Sequence, residues 1–132
     1  MPVANRIESF DVLVPAGTSK TSPQLTQTNF QDGDLQRVEI VIPDGHNGLT
    51  GIQILGSNGQ LIPFTQGAFL VANDDIFRMD VIGALDTGFF QVNAYNTGVF
   101  NHTFHVRYFV LDFGYAAAAP VVAPLAATPL LV

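Results

Sequence analysis

Three histidines, His46, His102 and His105, are the residues best suited to proton transfer or metal ligation near neutral pH. His46 sits in the string PDGHNGLTG, and the other two open the stretch HTFHVRYFVLDF. Residues three apart on a strand point to opposite faces, so His102 and His105 are poorly placed to share a metal. His46 with one of them and a nearby carboxylate is the remaining arrangement, but zinc sites carry denser ligand spacing. The expectation is a turn histidine bonded to backbone, surface strand histidines, and no metal.

Other chemistries find less support. Asp32 with Asp34, and Asp74 with Asp75, fall well short of a calcium loop and read as solvated turn carboxylates. Glu8 and Glu39, the only glutamates, have no context suggesting an acid–base pair across a cleft. There is no cysteine and no nucleophile elbow, and neither Ser22 nor Ser57 has an activated setting. PDGHNGLTG has glycines but lacks the lysine and helix of a phosphate-binding loop. No catalytic residue and no cofactor are expected, so the chain reads as non-enzymatic.

These residues must be held by strands, because period-two alternation recurs along the chain and helical periodicity is nearly absent. Phe10, Val12 and Val14 share one face of a first segment, with Ser9, Asp11 and Leu13 on the other. A polar stretch from Thr18 to Asp34 predicts a long loop with a short strand around Leu25. Val38, Ile40 and Ile42 alternate with Arg37 and Glu39, and Pro43 ends that run. Gly56-Ser57-Asn58-Gly59 between apolar runs predicts a hairpin. Ala68–Ala72 and Ile76–Ile82 predict two more strands, the second with Phe77, Met79 and Val81 on one side.

Phe90, Val92 and Ala94 then oppose Gln91, Asn93 and Tyr95. In the longest run, His102 to Phe113, the residues Phe104, Val106, Tyr108 and Val110 form one face. Phe109, Leu111 and Phe113 make its second half apolar on both sides, so that end should be covered twice. About eight short strands with Gly, Pro and Asn punctuation predict an all-β fold. The expected form is a single antiparallel, jelly-roll-like β-sandwich over 1–114.

Composition narrows the partners. Charged residues make up 12 % of the 132, against a usual ~25 %. The net charge is −6, and the five Lys and Arg are scattered singly, which argues against direct nucleic-acid binding. MPVANRIESF has no apolar run of signal-peptide length, so export by that route is not expected. After Asp112 no charged residue follows, and from Ala116 to Val132 Thr128 is the only polar one. Pro120, Pro124 and Pro129 interrupt that stretch and argue against a membrane-spanning helix.

An uncharged, proline-broken segment is a poor free linker, so 115–132 reads as an extended arm that another surface covers. Its partner-binding residues are expected to be Tyr115, Val121, Val122, Leu125, Leu130, Leu131 and Val132. With three prolines, docking in polyproline-like form is favoured over continuous strand addition.

Two strings, VEIVIPDGHNGLTGIQI (Val38 to Ile54) and AYNTGVFNHTFHVRYFV (Ala94 to Val110), resemble small β-rich virion proteins of tailed bacteriophages. The likeness covers Leu35 to Leu111 and consists of turn and strand patterns rather than catalytic signatures. It implies a capsid-decoration, capsid-associated or neck component, assembled in the host cytoplasm and located in the virion. Its partners would be other copies of itself and other virion proteins. A carbohydrate- or receptor-binding module of a phage tail is the alternative, and it requires an exposed row of aromatics at Tyr95, Phe100 and Tyr108.

Overall fold

The computed structural model describes residues 6–57, 59–81 and 89–112. They form eight strands: β1 (Arg6–Val14), β2 (Gln24–Gln27), β3 (Gly33–Ile42), β4 (Thr50–Gly56), β5 (Gly59–Ile62), β6 (Asp75–Asp80), β7 (Gln91–Asn96) and β8 (His102–Asp112). No helix occurs among the described residues. The arm, including Tyr115, Val121, Val122, Leu125, Leu130, Leu131 and Val132, lies outside them, as does the expected boundary at residue 114.

Strand order is β1-β8-β3-β6 in one sheet and β2-β7-β4-β5 in the other, with every pairing antiparallel. Strands that follow one another in the chain thus lie in opposite sheets, except that β4 and β5 form a hairpin within one. This double Greek-key order is the jelly roll.

Alternation decides which side chains meet between the sheets. Val12 and Val14, Val38, Ile40 and Ile42, Ile52 and Ile54, Val92 and Ala94, and Phe104 to Val110 at every second position are all buried. Each large apolar side chain buried in this way contributes ~1.5–3 kcal/mol. Tyr108 stands at the centre, with its ring 5.0 Å from Phe90, 5.7 Å from Phe10 and 5.8 Å from Phe30. Its hydroxyl shares a 2.6 Å hydrogen bond with that of Thr28, so the polar tip is satisfied inside the core.

Two elements depart from the periodic reading. β3 starts at Gly33 rather than Val38, because its register against β8 shifts between Leu35 and Arg37. The extra residue, Gln36, lets Leu35 and Val38 both face the core although they are an odd number of positions apart. Ala68–Ala72 forms no full strand: Leu70 makes only an isolated bridge to Ile52, extending the β4 edge where β5 has ended.

Candidate functional site

The register places Val14 beside His102, Thr50 beside Asn96, and Ile42 beside Asp75. The loops 15–23, 43–49, 63–74 and 97–101 therefore leave the sandwich at one end. Two polar side chains hold that end together. Asn96 is fully buried at the end of β7; its amide donates to the carbonyls of Val14 (3.0 Å) and Phe100 (2.7 Å), and its oxygen accepts from Gly98 N–H (2.9 Å). Asn73 Oδ1 accepts from Gly45 N–H at 3.0 Å and Asn47 N–H at 2.8 Å, tying the 63–74 loop to the glycine-rich turn. That turn needs left-handed backbone at Gly45, Asn47 and Gly48, which explains its composition.

His46 is a turn histidine that bonds backbone, and it is fully buried in this end. Its Nε2 lies 3.2 Å from the Thr103 carbonyl, which can only accept, so Nε2 carries the proton. Nδ1 then accepts from the Thr50 hydroxyl at 2.7 Å. The ring is 4.6 Å from that of His102 and 4.8 Å from Phe104. Burial pushes the His46 pKa below its ordinary value, and the neighbouring His102 charge pushes it further. The fold brings the His46 and His102 rings together, but both ring nitrogens of His46 are already engaged. His105 points to the other face of the sheet, 2.7 Å from Asp11. Among the described residues no group of three or more His, Asp or Glu side chains could hold a metal ion.

Large apolar side chains cluster at the same end. Val99 and Phe100 are 83 % and 72 % exposed, and exposed Leu49 hydrogen-bonds through its carbonyl to Thr97 N–H at 2.9 Å. Val71 is exposed on the adjoining loop. Of the three aromatics an open binding platform would need, only Phe100 is available. Tyr108 is in the core, and Tyr95, only 7 % exposed, lies under Phe69 and the Lys20 ammonium, whose nitrogen is 5.7 Å from its ring centre. The Tyr95 ring also rests directly on Gly51, its cross-strand partner, where any Cβ would overlap it.

The outward faces of the two sheets differ. On β2-β7-β4-β5 a directional chain of amides crosses the strands. Gln27 donates to Gln91 (3.3 Å), Gln91 to Asn93 (2.9 Å), Asn93 to Gln53 (2.9 Å), and Gln53 to the Ala68 carbonyl (2.9 Å).

On β1-β8-β3-β6 the outward side chains pair by charge. Glu39 receives Arg107 at 2.7 Å and Arg78 at 2.8 Å, and Arg37 pairs with Asp80 at 2.8 Å, while His105 Nδ1 shares a 2.7 Å hydrogen bond with Asp11. Glu39 is only 8 % exposed because the two arginines lie against it. Burial alone would raise its pKa; the hydrogen bonds from Arg107 and Arg78, with their charges, outweigh burial and hold it below the usual carboxylate value. The double coverage expected over Phe109 and Leu111 is not complete. Both are half-buried on their outward side, with the Arg37 guanidinium 6.0 Å from the Phe109 ring, and Phe113 lies outside the described residues.

Alternation places Glu39 outward but gives no sign of its two arginines, because they reach it from β6 and β8, far away in the chain. Asn96 was equally hidden within a string, YNTG, that reads as an ordinary turn. No family model matches this chain, and no curated protein matches it significantly.

Proposed function

We propose that this chain is a non-enzymatic structural subunit of a tailed-phage particle, a capsid-associated (decoration) or neck component. It works by protein–protein contact in the virion, with the arm 115–132 docking on a neighbouring subunit. The observation that carries this reading is the apolar exposure at the loop end, where Val99, Phe100 and Leu49 stand in solvent on two loops joined by the Thr97 N–H to Leu49 carbonyl bond. Contiguous apolar patches on soluble proteins mark interaction surfaces. An arm without charge, on a chain that already presents such a patch, favours partners over solvent.

Two further features support it. The strings that resemble phage virion proteins are far apart in sequence yet meet here. His46 of the first packs on His102 and Phe104 of the second, and Thr97 N–H bonds the Leu49 carbonyl. The jelly roll is a recurrent capsid architecture, although it also hosts lectins and enzymes, so this support is by analogy of fold.

The test compares the full chain with one ending at Gly114, by solution mass and by incorporation into particles. Loss of assembly in the shortened chain is expected. Undiminished assembly and incorporation would sink the role given to the arm.

A further inference from the structure

We propose that the outward face of sheet β1-β8-β3-β6 is a self-association surface, packing against the same face of a second copy of this chain. The inference rests on the assembly reading above and names where two sandwiches touch, independently of the arm.

Charge is the first argument. The outward positions of this sheet hold Arg37, Arg78 and Arg107 together with Asp11, Asp34, Glu39 and Asp80. That is three of the five bases and four of the eleven acids in the chain, a net of −1. The other two bases and seven acids leave −5 on the rest of the chain. The strands β2, β4, β5 and β7 of the opposite sheet carry no acid, so the −5 lies on the segments between strands and on the ends of the first sheet, and the outward face of β1-β8-β3-β6 itself meets a copy close to neutrality. Its charges are also largely paired already, since Glu39 is buried between its arginines and Arg37 is held by Asp80. A partner covering them would therefore strand few unpaired ions, the usual penalty of burying charge.

Apolar content is the second argument. Ile7 and Leu13 on β1 and Ile76 on β6 are exposed, and Val41, Phe109 and Leu111 between them are half-buried. Beside Ile76 an open depression of about 420 Å³ runs along Val41, Ile42, Pro43 and Arg78, with the carboxylates Asp74 and Asp75 at its rim. The opposite sheet differs, because its outward amides satisfy one another and its aromatic pair is capped by Lys20. Size is the third argument. Four strands ~4.8 Å apart, with ~10 residues rising ~3.4 Å each, give a footprint of roughly 600 Å². That approaches the ~800 Å² each partner contributes to a standard interface. A contact of one face with its own copy is isologous and closes as a two-fold dimer.

The experiment uses the full chain. Leu13→Glu combined with Ile76→Glu places like charges on both edges of the face, and Leu25→Glu serves as control. Leu25 is 60 % exposed on the opposite sheet and Leu13 53 %, so the two substitutions perturb solvation alike. Sedimentation equilibrium gives the dissociation constant, and circular dichroism with thermal melting shows that each variant is folded. Leu13→Gln with Ile76→Thr repeats the test without added charge.

At least a tenfold weaker self-association is expected for the double Glu variant, a smaller weakening for the Gln/Thr pair, and none for Leu25→Glu. A folded double variant that assembles like the parent overturns the proposal, as does an equal effect from Leu25→Glu. So does a monomeric parent, including one in which the terminal segment 113–132 of the same chain covers the face. If the chain ending at Gly114 loses assembly while the double variant keeps it, the arm reading stands and this one fails. The reverse pattern keeps the face and removes the arm.

Discussion

Replacing Glu39 by Gln removes the charge that holds two strands' arginines to β3. The carboxylate accepts hydrogen bonds at 2.7 Å from Arg107 and 2.8 Å from Arg78. A charge-assisted hydrogen bond contributes ~1.5–3 kcal/mol when buried. Here the carboxylate is buried, but the two arginine side chains are 42 % and 57 % exposed, so solvent screens much of the interaction. Gln would also turn an NH2 donor toward one guanidinium, opposing donor to donor. A loss of about 2 kcal/mol is expected at pH 7, readable by urea denaturation, or as a fall of ~4 °C per kcal/mol in Tm.

The pH dependence has a definite sign. The folded-state pKa of Glu39 lies below its ordinary value of 4.5, so this stabilisation is fully present above about pH 4.5. It disappears as pH falls through the lowered folded value. The gap between parent and Glu39→Gln should therefore be flat from about pH 8 to 5 and narrow as pH falls below the ordinary value. Equal stability at pH 7, or a gap that widens as acid is added below the ordinary value, would refute the reasoning.

Asn96→Ala should cost about 3 kcal/mol in urea denaturation, because it strands the Val14 and Phe100 carbonyls and Gly98 N–H. Hydrogen exchange should also rise across 97–101, and a loss below ~1 kcal/mol would show that water replaces the amide freely. Gly51→Ala should destabilise by ~1–3 kcal/mol, since the new methyl overlaps the Tyr95 ring. A variant as stable as the parent would mean that the ring can move aside without loss. By NMR, the His46 ring should titrate below 6.5, so the stability it confers is present above that pH and is lost as pH falls through the folded value. Titration at or above 6.5 would contradict its burial and its contact with His102.

Most strands were legible because one face of each is buried and the other is not. Phe10, Val12 and Val14, and Phe104 to Val110, alternate cleanly, and the inward set is the core. Legibility failed where a second constraint broke the period. At Gln36 the bulge hides the first half of β3, and at Leu70 a lone bridge imitates a strand. On β7 both faces are covered, so Asn93 and Tyr95 are buried although alternation places them outward. The clasp at Asn96 and the burial of His46 arise from contacts between loops distant in sequence, and local pattern carries no trace of them. The neutral face could not be read either, because its charges come from four strands whose order only the fold reveals.

Self-assembly is the centre of the account, and the mass of the full chain in solution tests it most directly. Sedimentation equilibrium up to about 100 μM should find a species at a whole multiple of 14.2 kDa, dissociating reversibly on dilution. A chain that stays at 14.2 kDa throughout that range would contradict it.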